Sequence, residues 1–192
     1  MRLLATALLV LLFAVFSDHL FAQVPTITLD TPTDAATVEG GWQTLATPTF
    51  KVGYPGVWTV DTSAAMGPTF ILLSPQASLD DAFRDNINLL IQDLTGSGVD
   101  LDQFVELSTS QVETMIPDGA ILVSERLDDG QRPAHHMAFT GTQDPYRLRF
   151  DQYYWVFEER AYILTFTAEI DTYEDYAETW AGIRARFSLK LK

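Results

Sequence analysis

The sequence predicts an α+β domain: a mostly antiparallel sheet sandwiched between helix layers, an α/β/α sandwich. Three observations carry this expectation. Short Gly-, Pro- and Asp-bearing turns separate strand-like runs, and turns that short can only join antiparallel neighbours. Two mid-chain stretches and one near the C-terminus repeat apolar residues at helical spacing. Finally, Tyr146 to Phe157 is bulky on both alternating faces, so a strand there must be covered on both.

Residues 1–22 read as an export signal. Arg2 supplies the positive charge, Leu3 to Phe16 is apolar apart from Thr6, and cleavage is expected after Ala22. The apolar run falls short of the about 20 residues of a comfortable membrane span, although an uncleaved anchor is the alternative. No other run approaches spanning length, so no membrane span is expected in the mature chain. Residues 23–48 hold Pro25, Pro32, Pro48 and several Thr and Asp without sustained periodicity. They read as an extended, partly ordered leader, with Thr26 to Leu29 as a possible edge strand. Residues 49–192 form the folded domain.

Within that domain, Phe50 to Tyr54 alternates as a strand, Pro55-Gly56 turns the chain, and Val57 to Val60 is expected to return antiparallel to it. Thr69 to Leu73 reads as a strand buried on both faces. Ser78 is expected to open a helix with Leu79, Ala82, Phe83, Ile87, Leu90, Ile91 and Leu94 on one stripe, ended by Gly96-Ser97-Gly98. Asp100 caps a second helix whose inward positions are Leu101, Phe104, Val105, Val112, Met115 and Ile116. Strands follow at Ala120 to Val123 and His135 to Phe139. Gly141 to Pro145 is a turn, Tyr146 to Phe157 a long strand, Glu158 to Arg160 a tight turn, and Ala161 to Ile170 the last strand. Asp171 or Thr172 caps a closing helix that faces inward through Tyr173, Tyr176, Ala177, Trp180, Ile183 and Phe187. Residues 188–192 are a short tail.

Composition removes several function classes. The 192 residues carry 12 Lys and Arg against 26 Asp and Glu, a net charge of -14, and no cysteine. Nucleic-acid binding needs clustered cations, so none is expected. Disulfides and thiolate chemistry are impossible. No Gly-x-Ser-x-Gly elbow and no phosphate-cradling loop occurs. No catalytic residue is assigned, and no cofactor or metal is implied. The acidic residues around Gly96 do not follow the spacing of an EF-hand loop.

One hairpin offers a weak ligand-binding candidate. If Thr140 stands opposite Tyr146, His135 falls opposite Asp151 and Met137 opposite Arg149. That register gathers His135, Arg149 and Asp151 on one face near Trp155. A carboxylate beside a histidine can orient the ring or hold a proton. The plainer reading is a cross-strand ion pair on a half-buried sheet. Tyr153, Tyr154, Trp155, Phe157, Tyr162 and Phe166 crowd the following hairpin. They serve as core, or in part as an apolar patch for a partner.

Three segments in order resemble the PsbP-like family: Phe50-Lys51-Val52-Gly53-Tyr54-Pro55-Gly56-Val57-Trp58-Thr59-Val60, then Tyr154 to Thr167, then Tyr173 to Ser188. The resemblance covers about residues 49–189. That family ranges from a photosystem II extrinsic subunit to bacterial envelope domains of the DcrB type. What it implies is an antiparallel sheet between helix layers and no shared catalytic motif, so no functional residue is transferred. The expected function is an exported, non-catalytic accessory module of the cell envelope with a protein partner. A small-ligand or metal-binding module near His135 and Asp151 is the alternative, and an enzyme the third.

Overall fold

A computed structural model describes residues 41–65, 67–76, 78, 81, 83–128 and 132–190. The export signal expected over residues 1–22, the possible strand at Thr26 to Leu29, and Leu79 and Ala82 of the expected first helix lie outside the described residues. The elements run β1 (Trp42–Ala46), β2 (Phe50–Pro55), β3 (Thr59–Asp61), β4 (Phe70–Leu73), β5 (Asn86–Asp93), α1 (Leu101–Met115), β6 (Ala120–Asp128), β7 (Pro133–Gln143), β8 (Tyr146–Phe157), β9 (Arg160–Glu169), α2 (Tyr173–Ala185) and β10 (Ser188–Leu189). They build a seven-stranded sheet in the order β3-β4-β5-β9-β8-β7-β6 and a three-stranded sheet in the order β1-β2-β10. The strand pairs among the described residues are antiparallel.

The helix–sheet–helix sandwich is therefore corrected. Only two helices occur among the described residues, and a full helix layer covers neither face. On one face α1 packs over β6, β7 and β8. There Leu101, Phe104 and Val112 close on Met137, Phe139, Leu148 and Tyr154. The opposite face is covered by α2 together with the small sheet. Trp180 and Ile183 from α2, and Phe50, Val52 and Tyr54 from β2, pack there on Leu89, Leu164, Phe166 and Tyr153. The physical demand read from Tyr146 to Phe157 is met, but a second sheet meets half of it.

The helix expected from Ser78 to Leu94 is a strand over its second half. Residues 86–93 carry apolar side chains at both the helical spacing and the alternating one, and a short apolar run does not separate the two. Tertiary pairing decides it. β5 fills the gap between β4 and β9, with Leu89 opposite Leu164 on one side and Phe70 on the other. Val57 to Val60 does not return along β2: β3 pairs with β4 in the large sheet instead. Trp42 to Ala46, inside the stretch read as leader, is β1 paired with β2. Ser188-Leu189, read as tail, is a strand on the other edge of β2.

The second helix forms as expected. The Asp100 carboxylate accepts from the Gln103 backbone N–H at 2.9 Å, and the Gln103 side chain accepts from the Asp100 N–H at 3.1 Å. That reciprocal box satisfies two donors the helix start would leave bare. Met115 is the exception on the inward face: it is 55 % exposed, while the buried stripe runs through Phe104, Ser108 and Val112 to Ile116. Glu158 and Glu159 form the two-residue turn between β8 and β9, both at positive φ, the backbone that a tight hairpin requires.

Trp180 joins the layers. Its ring stacks on Phe166 at 5.7 Å and meets Tyr153 edge-on at 5.9 Å, with 5 % of its surface exposed. Trp180→Ala is expected to cost about 3–5 kcal/mol, as deletion of large core aromatics does. Met115→Ala, at an exposed position, is expected to stay within about 0.5 kcal/mol of the parent. Thermal melting of the two variants checks both, and equal melting temperatures would show that the α2 face is not core.

Candidate functional site

The β7–β8 hairpin sets which polar groups meet. Its turn is the two residues Asp144-Pro145, so Gln143 stands opposite Tyr146, and Thr140 opposite Arg149. The expected register is displaced by three residues. Because side chains alternate along a strand, an odd displacement exchanges the faces. His136, opposite Tyr153, now shares a face with Asp151, while His135, opposite Tyr154, points to the other side.

The four residues singled out from the sequence therefore separate. Arg149, Asp151 and Trp155 share the α2 side. His135 lies beneath α1, where its Nε2 sits 2.9 Å from Ser124 Oγ. Burial, and then the nearby Arg126, hold the His135 imidazole below its ordinary pKa. Trp155 lies half-buried between Tyr153, at 6.2 Å, and Phe187, at 5.6 Å. It touches the aromatic core rather than the polar group.

The cluster the fold does assemble is Glu125, His136, Asp151 and Tyr173. His136 Nε2 lies 2.9 Å from Asp151 Oδ1, and His136 Nδ1 lies 3.1 Å from Glu125 Oε1. The Tyr173 hydroxyl donates to Asp151 Oδ2 at 2.8 Å. The His136 ring stacks on Tyr153, with centroids 4.6 Å apart. A neutral imidazole carries only one N–H. With a carboxylate oxygen at each ring nitrogen, this histidine is built to hold two.

The electrostatics agree. Burial alone would lower the His136 pKa, but the hydrogen bonds to Asp151 and Glu125 outweigh it and raise the value. Burial likewise opposes ionisation of Asp151, and hydrogen bonds from His136 and Tyr173 overcome it and hold the carboxyl below its usual range. Burial, with the Asp151 charge beside it, pushes the Tyr173 phenol up. The group is thus an ion pair with a bound phenol. A protonated His136 donates from both ring nitrogens and leaves neither free to accept.

Arg149 flanks this cluster. Its guanidinium lies 3.6 Å from the centroid of the Tyr173 ring and 3.9 Å from the Glu174 carboxylate. Its Nε is buried and has no hydrogen-bond partner among the described residues. Near the other end of the strand-to-helix connection, Asp85 is pushed up to about 7, first by burial and less by Asp81 and Glu169. The Thr172 hydroxyl donates to it at 3.5 Å. Among the described residues no group of three His, Cys, Asp or Glu side chains is arranged to hold a metal ion.

Sequence reasoning missed His136, Glu125 and Tyr173. The signal that could have found His136 is Asp144-Pro145. Taking that dipeptide as the whole turn fixes the parity of the hairpin and puts His136 on the Asp151 face.

No protein-family model and no curated protein matches the chain. Its three-dimensional likeness to solved structures is broad. The cyanobacterial PsbP protein CyanoP of Synechocystis superposes with a TM-score of 0.56 at 8% identity, over 82% of this chain and 97% of that one. The chain has a PsbP-like fold. LpqN of Mycobacterium tuberculosis, described as involved in cell envelope biogenesis, superposes at 0.57 with 11% identity, over 77% and 90% of the two chains. A Pseudomonas aeruginosa protein described as a putative regulator superposes at 0.52 with 11% identity, over 74% and 93%. At such identities the likeness carries the fold and no residue roles.

The pH dependence of stability tests the cluster. The folded chain holds the His136 proton more tightly than the unfolded one. The stability this adds is complete below about pH 6.5 and is lost as pH rises through the folded value. Asp151 runs the other way: its contribution is complete above about pH 3.9 and lost on acidification. The pair therefore contributes in full between about pH 4 and 6.5. Asp85 adds a second loss as pH rises toward its value of about 7. The wild-type melting temperature is expected to fall between about pH 5.5 and 8, and Asp85→Asn to flatten part of that fall. His136→Ala is expected to cost about 1–3 kcal/mol near pH 5.5 and less near pH 9. A His136→Ala effect identical at both values would show that the ring is uncharged.

Proposed function

We propose that this protein is an exported, non-catalytic accessory module that works in the cell envelope by contacting another protein. The observation that carries this reading is the distribution of its functional side chains. The buried polar cluster is consumed internally: both His136 ring nitrogens and both Asp151 oxygens are engaged within the fold. Elsewhere, arginines lie over aromatic rings. Arg186 sits 4.2 Å from the Trp42 ring centroid, Arg132 3.8 Å from Phe157, and Arg184 5.0 Å from Tyr153. Trp, Tyr and Arg are the residues from which the energetic centres of protein interfaces are built. The PsbP-like fold and the envelope role described for LpqN are compatible with this use.

A small anionic ligand at Arg149 is the second reading, favoured by the buried Nε that has no partner among the described residues. Melting the mature chain with a panel of small anions separates the two. A ligand at about 100 times its dissociation constant would add about 2.7 kcal/mol, and Arg149→Ala would abolish that gain.

The leading reading is tested by expressing the full chain in its own cells. The chain is expected in the exported fraction beginning near Gln23, and to retain a saturable envelope protein when immobilised. Recovery in the cytoplasm with Met1 intact, or no retained partner, would overturn it.

A further inference from the structure

The charge of this protein is unevenly folded. The whole chain carries 26 Asp and Glu, yet residues 41–60 and 179–192 contain none. The same two segments hold Lys51, Arg184, Arg186, Lys190 and Lys192, five of the 12 Lys and Arg. Residues 41–60 and 179–190 are far apart in sequence and adjacent in space. The first supplies β1 and β2; the second supplies the end of α2 and β10, and β10 pairs with β2 through Ser188 opposite Lys51.

Strand alternation then sorts the side chains. Phe50, Val52 and Tyr54 enter the core, so Lys51 and Gly53 face outward. Arg186 lies across that outward side: a Cβ on Gly53 would come within 2.9 Å of its Cδ. From there it reaches the Trp42 ring and donates to the Gly182 carbonyl at 3.0 Å. Gly182 is what admits the ring, since a Cβ there would stand 2.8 Å from Trp42. The Lys190 ammonium donates to the Thr47 carbonyl at 3.0 Å beside the same sheet. Lys51, Arg186 and Lys190 are all exposed. Favourable placement of cations at the end of α2 accounts for Arg184 and Arg186. It does not account for Lys51, for Lys190, or for the complete lack of carboxylates in both segments.

We propose that the outer face of the β1-β2-β10 sheet, centred on Lys51, Arg186 and Trp42, is the docking surface for an acidic segment of a protein partner. This deepens the accessory reading and rests on it. Charge complementarity selects the occupant: a cationic face on a body of net charge -14 orients an anionic partner toward this sheet and away from the rest of the surface. The half-buried Trp42 beneath Arg186 supplies the aromatic and guanidinium contact that such a segment would cover.

The test uses the full mature chain, a labelled oligo-glutamate peptide, an oligo-lysine peptide of equal length, and phosphatidylglycerol vesicles. The oligo-glutamate peptide is expected to bind, weakening about tenfold as salt rises from about 0.01 M to about 0.15 M. Lys51→Glu/Arg186→Glu is expected to abolish binding. Because Arg186 packs on Gly53 and Trp42, Lys51→Glu alone serves as the second variant and is expected to weaken binding with an unchanged melting temperature. Arg147→Glu, at an exposed position on β8, is expected to leave binding intact. The proposal is overturned if the oligo-glutamate peptide does not bind, if Arg147→Glu weakens it as much as Lys51→Glu, or if only the vesicles bind. An envelope partner captured equally well by wild type and Lys51→Glu refutes this face and leaves the accessory reading standing. Capture of no partner refutes that reading itself.

Discussion

Strand β9 imposes the constraint on which the rest of the molecule depends. Residues Ala161 to Ala168 are buried without interruption. Alternation sends half of them to each side of the sheet, so both sides must be dry. One side is closed by α1, whose stripe of Leu101, Phe104 and Val112 is wide enough for β6 to β8. The other side is too broad for α2 alone. Its 13 residues cover about 20 Å along one axis, while the sheet beneath is seven strands wide. The three-stranded sheet completes the cover, and it needs both β1 and β10 as neighbours of β2. The closing of the hydrophobic core and the meeting of two distant segments are thus one event.

The same constraint explains the polar cluster. Asp151 faces the α2 side of β8, under a helix that brings Tyr173 and Trp180 to it. A carboxylate in that position is costly unless it is fully bonded. Tyr173 takes one oxygen and His136 the other, and Glu125 takes the second nitrogen of His136. Each partner comes from a different element: β6, β7, β8 and α2. Their hydrogen bonds fix the helix on the sheet, so the cluster clamps four elements together.

How much of this could be read beforehand follows from which forces are local. The Asp100 cap and its Gln103 partner are three residues apart, and the helix they start was legible. Tyr146 to Phe157 is long and bulky on both faces, and its strand was legible, as was a tight turn after it, expected over Glu158 to Arg160 and found at Glu158-Glu159. The strand β5 was not, because Phe83, Ile87, Leu90, Ile91 and Leu94 satisfy the helical period as well as the extended one. Only the vacancy between β4 and β9 chooses between them. The small sheet was hidden for a related reason. Trp42 to Ala46 and Ser188-Leu189 are too short and too plain to announce strands, and each exists because β2 offers it an edge. For the site, the residue types were legible and the parity was not. A hairpin register displaced by an odd number of residues replaces His135 with His136, and with that exchange the expected cross-strand pair becomes a four-residue cluster under α2.

A strongly acidic protein ordinarily spreads its charge, because clustered like charges repel and a uniform shell keeps the chain soluble. Here the carboxylates are excluded from two segments that only the folded state brings together. Stability does not require that exclusion. Lys51 and Lys190 lie in the exposed outer layer of the small sheet, where a carboxylate would be tolerated by the core beneath, and where opposite charges across strands would even help. The packing of Trp42 against Gly182 fixes a rigid, half-buried ring under an arginine at the centre of that face, at the cost of a glycine inside a helix. Both features weigh against optimisation of the monomer alone. They are accounted for together when the face is one half of a contact whose other half carries the negative charge.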